Sequence, residues 1–165
     1  MKLRRLELRD AKHMYEWMQD KDVVEHLSKD FRKLTEEDCR KFIRDSLTDK
    51  LNRHYAIADD DDVYLGTVSL KNIDKRSAEF AIILRRGAMG RGIAADAMKQ
   101  VLQKGFSKLG LKYIYWYVSP DNKRAVKFYE KNSCQRILPE QLNILKIYDK
   151  DQFEKYYWYW KERKG

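Results

Sequence analysis

A cluster of glycines and arginines runs through residues 84–98, LRRGAMGRGIAADAM, and its residue types suit the binding of an anion. Gly87, Gly90 and Gly92 fall close together, and Arg91 stands between two of them. Glycine lets a backbone approach phosphate oxygens because no Cβ intervenes, and arginine donates hydrogen bonds to them. A loop that opens a helix also presents free backbone N–H groups and the positive end of the helix dipole. The stretch therefore predicts a pyrophosphate-binding loop, although a plain turn from strand to helix would use the same glycines.

The spacing of these glycines disfavours two common phosphate-binding loops. A P-loop closes with Gly-Lys-Ser or Gly-Lys-Thr, and no such triplet follows Gly92. The dinucleotide-binding loop has the order G-x-G-x-x-G, whereas here the longer interval between glycines comes first. ATPase and dehydrogenase functions are therefore both disfavoured.

Two polar residues further along the chain, Asn122 and Tyr129, can face one ligand from a single helix. With Ala125 and Val126 they occupy positions i, i+3, i+4 and i+7, over roughly 10 Å of helix rise. Both side chains would then lie on one face. An ordinary core tyrosine is the alternative for Tyr129, since the chain has eleven tyrosines.

Periodicity and capping residues predict the elements that position these groups. The β-rich run SAEFAIIL (77–84) leads into the glycine loop, and a helical apolar pattern covers residues 94–109. The run YIYWYV (113–118) follows as an interior strand, so strand, helix and strand form a crossover. The other predicted elements are a strand in residues 1–9, a helix capped by Asp10 with Ala11, Met14, Tyr15 and Met18 inward, a helix capped by Thr35 with Cys39, Phe42 and Ile43 inward, two strands between residues 54 and 70, a short helix in residues 122–132 and a final strand in residues 153–163.

Composition indicates a water-soluble globular protein. The 165 residues, 43% of them apolar and 37% charged, suit one domain over residues 1–165. No apolar run approaches the roughly 20 residues that span a bilayer, and the amino terminus lacks the apolar stretch of a signal peptide. We therefore expect a cytoplasmic protein with no membrane partner. The net charge of +9 favours anionic partners.

No metal site is expected. Cys39 and Cys134 are far apart and in no paired motif, which argues against both zinc and a disulfide. Four consecutive aspartates, residues 59–62, form a polar turn between two predicted strands. A calcium loop would instead need spaced oxygens and a glycine bend.

The glycine loop resembles the acetyl-coenzyme A loop of the GNAT acetyltransferase superfamily, whose pattern is Gln/Arg-x-x-Gly-x-Gly/Ala. Residues 87–92, GAMGRG, occupy that pattern. Gly87 stands where the family has Gln or Arg, and Arg86 is the candidate to replace that side chain. Residues 118–132, VSPDNKRAVKFYEKN, resemble the family segment in which an Asn meets the pantetheine arm and a Tyr lies near the thioester sulfur. The resemblance covers roughly residues 1–131 and is nearest to the branch of spermidine, amino-sugar-nucleotide and ribosomal-protein N-acetyltransferases.

This resemblance implies a fold and a reaction. The fold is α/β (α+β), with a mixed, mostly antiparallel sheet of six to seven strands that is splayed between strands 4 and 5 and flanked by about four helices. The reaction is direct attack of an amine on the thioester of acetyl-coenzyme A. Tyr129 is then the general acid, since a phenol with a pKa near 10 suits a thiolate of similar basicity. Glu79, on the fourth strand, or a water is the base. The residues implied to bind acetyl-coenzyme A are Ile82, Ile83, Leu84, Arg86, Gly87, Ala88, Met89, Gly90, Arg91, Gly92, Ile93, Ala94, Asn122 and Tyr129.

The acceptor is expected to be the primary amine of a small molecule, an amino sugar or a polyamine. Glu16, Glu25 and Asp30 could bind a cationic acceptor, although in so charged a chain a solvated surface explains them equally. The basic net charge favours a nucleotide-linked amino sugar over a polyamine, which needs an acidic pocket. His13, His26 and His54 are each better explained as surface or packing histidines than as a base, and His54, which starts a strand, is the strongest candidate of the three.

Three alternatives stay open. A protein amino terminus is a second class of acceptor. The ending YYWYWKERKG could form a nucleic-acid surface in which aromatic rings stack on bases. A strand divides consecutive aromatics between two faces, so core packing or a homodimer interface is favoured for them and a nucleic-acid partner is disfavoured. The third alternative is a GNAT fold that binds coenzyme A without catalysis.

Overall fold

A single seven-stranded sheet organises the computed structural model, which describes residues 1–144 and 147–164. Its strands are β1 (Lys2–Arg5), β2 (Arg53–Ala58), β3 (Tyr64–Lys71), β4 (Ser77–Leu84), β5 (Tyr113–Val118), β6 (Gln135–Arg136) and β7 (Tyr157–Glu162). Six helices are present in the described residues: α1 (Ala11–Met18), α2 (Lys21–Val24), α3 (Glu36–Ser46), α4 (Ile93–Ser107), α5 (Lys123–Lys131) and α6 (Lys150–Lys155). None of these helices has both the length and the apolar composition needed to cross a bilayer.

The strand order is β1-β2-β3-β4-β5-β7-β6, and β4 and β5 are the parallel pair. The ladder between them joins Ser77–Glu79 to Tyr113–Tyr115 and does not continue, so the two strands separate beyond Glu79. A crossover through α4 connects β4 to β5, as the sequence predicts. The expected mixed, mostly antiparallel sheet is therefore confirmed.

Alternation along the strands places one core on each face of the sheet. On one face, Phe80 and Trp116 pack with the apolar stripe of α4, which includes Val101. On the other face, Ala56 packs with residues of α1 and α3. A third cluster, around Trp158, lies on this second face and includes residues of the carboxyl-terminal segment: Ile137, Leu142, Ile144, Tyr148, Phe153 and Tyr156. The sheet that contains the β4–β5 gap is thus covered by α4 on one face, and by α1, α3 and the carboxyl-terminal segment on the other.

Two strand predictions are wrong at their ends. The first strand stops at Arg5 because Arg4 donates to both carboxylate oxygens of buried Asp10, each at 2.9 Å, which draws residues 8–10 into a 3-10 turn. The predicted final strand places Phe153 in an extended segment, but Phe153 lies in α6. Asp149 caps that helix by accepting from the Gln152 backbone N–H, so β7 begins only at Tyr157.

Four smaller differences separate prediction from structure. The six helices exceed the expected four because α2 and α6 are too short to show a hydrophobic period. Strand β6 spans only two residues, so it too is too short to show a hydrophobic period. Tyr15 and Phe42, predicted to point inward, are 38% and 37% exposed. Each sits at the border of its helix's apolar face, where burial depends on the neighbouring element.

Candidate active site

The loop between β4 and α4 has the arrangement of strand, glycine loop and helix that the sequence predicts. Residues 86–88 form a 3-10 turn, and α4 begins at Ile93. Gly90 and Gly92 adopt left-handed conformations, with φ of 75° and 76°. A Cβ at either position would meet no atom within 4 Å, so the loop surface is open on that side. Glycine is required here by backbone conformation rather than by crowding.

Several backbone N–H groups of this loop lack protein acceptors. The amides of Ala88 and Met89 donate to Arg85 and Arg86 at 3.0 and 3.1 Å. From residue 90 to residue 95, no backbone N–H donates to an acceptor among the described residues. Groups of this kind at a helix start form a site for an anion.

The arginines around the loop have different partners. Arg86 donates from Nε to Oδ2 of Asp20 at 2.9 Å and also pairs with Asp22 at 2.9 Å. The hydrogen bond from Arg86 lowers the pKa of Asp20 below its usual value. Arg85 pairs with Glu16 at 3.1 Å. Among the described residues Arg91 reaches only the Gly87 carbonyl, at 3.5 Å, so its guanidinium is available to a ligand of the loop.

The separation of β4 from β5 exposes the edge of β4 that leads to the loop. Ile82, Ile83 and Leu84 pair with β3 on one side, but β5 supplies no partner on the other. Their unpaired edge is directly continuous with Met89, half-buried, and with the glycine loop. An extended ligand could therefore hydrogen-bond to β4 as a strand would. At the far end of the loop, Ile93 is buried and Ala94 is half-buried.

Helix α5 lies on the other side of the gap and carries Asn122 and Tyr129. Asn122 caps the helix, its Oδ1 accepting from the Ala125 N–H at 3.3 Å, which leaves its side-chain NH₂ for another partner. Tyr129 is 7% exposed, and its ring centroid lies 5.6 Å from that of Trp116 on β5. Its hydroxyl forms no hydrogen bond with the described residues, and burial raises the pKa of Tyr129 above its usual value. The hydroxyl is therefore protonated at physiological pH.

Glu79 occupies the last paired position before the gap opens. It is 5% exposed, and its Oε2 lies 3.1 Å from the Lys71 ammonium. Tyr148 donates its hydroxyl to Oε1 of Glu79. The Tyr148 hydroxyl also receives a hydrogen bond from Asn72 Nδ2 at 3.1 Å and lies 3.2 Å from the hydroxyl of Tyr115. Burial first, and then the neighbouring Glu79 charge, raise the pKa of Tyr148.

The histidines named as candidate bases are dispersed. His54 lies on the same sheet face as Glu79, and its Nδ1 is 2.7 Å from Ser69 Oγ. Burial, assisted by the positive charge of Lys71, lowers the pKa of His54 to about 4. His13 lies on α1, and His26 lies beside Glu25 at 3.3 Å after α2. The structure does not bring the three histidines together.

The acidic residues named for a cationic acceptor each have a basic neighbour. Glu16 pairs with Arg85, Glu25 with His26, and Asp30 with Lys33 at 3.5 Å. They form no shared carboxylate cluster, and the described residues contain no group of acids, histidines and cysteines placed to hold a metal ion.

The aromatic carboxyl-terminal run does not form an exposed platform. Trp158 and Tyr159 are 2% and 0% exposed and belong to cores on opposite faces of the sheet. Tyr157 is half-buried and lies against the guanidinium of Arg136, 3.8 Å from ring to Cζ. Few ring faces therefore remain for stacked bases.

Two site residues were missed by sequence reasoning. Tyr148, which holds Glu79, comes from a segment that the family resemblance does not reach, so no motif signalled it. Trp116 was placed only in an interior strand, yet its indole Nε1 is buried without an acceptor in the described residues. A buried tryptophan N–H usually finds a partner.

Comparisons with known proteins agree with this geometry. The family model of the acetyltransferase (GNAT) domain matches residues 1–135. The chain is 30% identical over 139 residues to the uncharacterized N-acetyltransferase p20 of Bacillus licheniformis, covering 81% of this chain and 78% of that protein. It is 34% identical over 85 residues to spermidine N(1)-acetyltransferase of Vibrio cholerae, covering 50% and 49%.

A solved structure shares the fold. The crystal structure of spermidine N-acetyltransferase from Vibrio cholerae in complex with CoA and spermine aligns with a TM-score of 0.77 at 21% identity, covering 98% of this chain and 94% of that chain. The family match spans most of the sequence and ends just after α5. The chain therefore belongs to the GNAT acetyltransferase family, and the predicted N-acetyltransferase is confirmed.

Proposed function

We propose that the protein transfers the acetyl group of acetyl-coenzyme A to a primary amine of a small molecule, by direct attack of the amine in a ternary complex. One observation carries the proposal: unpaired N–H groups at the start of α4 directly follow the strand that separates from β5. An anion at that position gains both the hydrogen bonds and the favourable helix dipole. The CoA complex of the Vibrio cholerae protein supports the same cosubstrate.

Different parts of the site would hold different parts of the cosubstrate. The N–H groups of residues 90–94 and the guanidinium of Arg91 would hold the pyrophosphate. The unpaired edge of Ile82, Ile83 and Leu84 would hold the pantetheine arm and the thioester carbonyl. Asn122 would meet the same arm with its side-chain NH₂. When bound, acetyl-coenzyme A supplies an activated acyl group.

The protons would be handled by residues on both sides of the gap. Tyr129, protonated and buried beside Trp116, would donate its proton to the sulfur of the leaving group. Glu79 would accept the proton of the attacking ammonium, directly or through a water. Tyr148 and Lys71 hold its carboxylate in place for that task.

The acceptor class follows from the charges around the gap. A polyamine would require unpaired carboxylates, but Glu79 already faces Lys71, and Glu16 already faces Arg85. The net charge of +9 favours an acceptor that carries phosphate. We therefore favour a nucleotide-linked amino sugar. A polyamine, the substrate class of the Vibrio cholerae relative, is the second small-molecule candidate.

A thiol-release assay with acetyl-coenzyme A tests the function. The acceptors are a nucleotide-linked amino sugar, the free amino sugar, spermidine, and peptides with free amino termini. The expected result is release with the nucleotide-linked sugar and weaker release with the free sugar. Release with peptides alone would instead establish the protein acceptor, and release with spermidine alone would overturn the charge argument.

Thermal unfolding separates the enzyme from a nucleic-acid-binding protein. A ligand that binds the folded state raises the unfolding temperature according to its concentration and dissociation constant. Acetyl-coenzyme A should raise it, and single-stranded oligonucleotides should not. The opposite pattern would contradict the proposed function.

A further inference from the structure

A long groove lies between α4 and the segment that follows α5, away from the glycine loop. One wall is the stripe Met98, Leu102 and Phe106 of α4, and the opposite wall is Cys134 with its neighbours. Trp116 of β5 lies in the floor. The groove has a volume of about 1130 Å³, which is ample for a small organic ligand. From Ala95 to Phe106 it follows α4 for about 16 Å.

Trp116, which lines the floor of this groove, carries a buried hydrogen-bond donor without an acceptor among the described residues. Trp116 is 2% exposed, and its Nε1 has no partner among the described residues. An unpaired buried donor is destabilising, so a ligand oxygen that reached it would bind favourably. Neighbouring rings fix the orientation of the indole: Phe80 meets it edge-on at 5.4 Å, and Tyr159 stacks on it at 6.0 Å.

Basic residues are spread along the lining of the groove. Lys161 pairs with Ile114 in the β5–β7 ladder and therefore lies on the same sheet face as Trp116. Lys99, Arg163 and Lys164 also line the groove, and none of the four cations is in an ion pair formed within residues 1–144 and 147–164. Glu162 is the single carboxylate among the described lining residues. The groove therefore complements an anion joined to an apolar body.

We infer that this groove binds an apolar monocarboxylate of the medium-chain fatty acid class. The carboxylate accepts a hydrogen bond from Trp116 Nε1 and pairs with Lys161, while the hydrocarbon chain lies along Met98, Leu102 and Phe106. The groove shares no lining residue with the glycine loop, residues 86–92, so the inference does not depend on acetyl transfer.

Titration calorimetry of the full chain with dodecanoate, below its micelle concentration, tests this binding. Dodecyltrimethylammonium, which has the same chain and the opposite charge, is the control ligand. Dodecanoate should bind and the ammonium compound should not. Lys161→Gln should weaken dodecanoate binding about tenfold, because a charge-assisted contact is lost. Lys127→Gln, an exposed change on α5 outside the groove, should leave binding unchanged.

The indole proton of Trp116 gives a second measurement that does not depend on a stable variant. In a ¹⁵N-labelled sample, one tryptophan side-chain N–H resonance should shift on addition of dodecanoate, and Trp116→Phe should remove that resonance. Equal affinity for the two amphiphiles, an unshifted Trp116 resonance, or equal losses in Lys161→Gln and Lys127→Gln would each overturn the assignment.

Discussion

Arg86 and Asp20 form an ion pair, Nε to Oδ2 at 2.9 Å, that ties the glycine loop to the segment between α1 and α2. The adjoining helix α2 contacts the opposite side of the β4–β5 gap, where Arg124 of α5 donates to the Asp22 carbonyl at 3.2 Å. Residues 20–22 thus contact both the glycine loop and helix α5. We therefore propose that Arg86 positions the loop and that Arg91 meets the phosphates.

This relationship predicts that Arg86→Gln and Asp20→Asn act in the same direction. Each removes the Arg86–Asp20 pair, so each should raise the KM for acetyl-coenzyme A. Arg86→Gln should raise it at least as much as Asp20→Asn, because it also removes the pair with Asp22, and the double variant should be no worse than Arg86→Gln alone. Steady-state kinetics of the three variants checks this. If Arg86 contacted the phosphates directly, Asp20→Asn would free it and lower the KM.

Gly92→Ala should destabilise the protein and weaken acetyl-coenzyme A binding. Its φ of 76° is left-handed, which costs a residue with a Cβ about 1 kcal/mol, and relief of that strain would turn the first N–H groups of α4. Gly87→Ala is the matched control, because Gly87 is not left-handed and a Cβ there meets no atom within 4 Å. Urea unfolding and acetyl-coenzyme A titration should distinguish the two variants, and equal behaviour would contradict the role of the loop conformation.

Tyr129→Phe should lower kcat by about 100-fold or more and leave the dissociation constant for acetyl-coenzyme A within a factor of about two. The ring and its contact with Trp116 are kept, so only the donated proton is lost. Tyr157→Phe, a change at a half-buried tyrosine on β7, is the control. Wild-type turnover in Tyr129→Phe would remove Tyr129 as the general acid.

Glu79→Gln should lower kcat/KM for the amine by about 100-fold, because an amide cannot accept the ammonium proton. Tyr148 can still donate to the amide oxygen, so the fold should persist. Glu154→Gln on exposed α6 provides the comparison. A variant that lost stability but kept its rate would show that Glu79 only anchors the carboxyl-terminal segment.

His54 should make stability depend on pH. Burial lowers its folded pKa to about 4, below the ordinary value of 6.5, so between these values the unfolded chain binds the extra proton. The contribution of neutral His54 to the free energy of unfolding is therefore fully present above pH 6.5 and is lost as the pH falls towards 4. Relative to His54→Gln, the wild type should lose about 2 kcal/mol of unfolding free energy between pH 7.5 and pH 5.

Urea unfolding at the two pH values measures this difference. His26→Gln, a change at a partly exposed histidine outside the sheet, should keep the pH dependence of the wild type. A wild type and a His54→Gln variant with the same pH dependence would show that His54 is not held neutral by burial.

The sequence by itself determined the local elements of this protein and the residue types of its loop. Periodicity located the β4–α4–β5 crossover, since helical and strand spacing are properties of neighbouring residues. Gly90 and Gly92 indicated the turn and its open backbone for the same reason. The family and the acetyl-transfer reaction followed from this loop together with the residues 118–132 motif.

Only the tertiary structure decided which distant groups meet. The partner of Glu79 is Tyr148, 69 residues later, and the partner of Arg86 is Asp20, 66 residues earlier. Such pairs depend on how the sheet and its covering segments close, and no local spacing encodes that closure. The groove above Trp116 arises in the same way, because its walls come from α4, from the end of α5 and from β7. The residue types of the site can therefore be predicted from the sequence, whereas the partners and the charge environment of those residues depend on long-range packing.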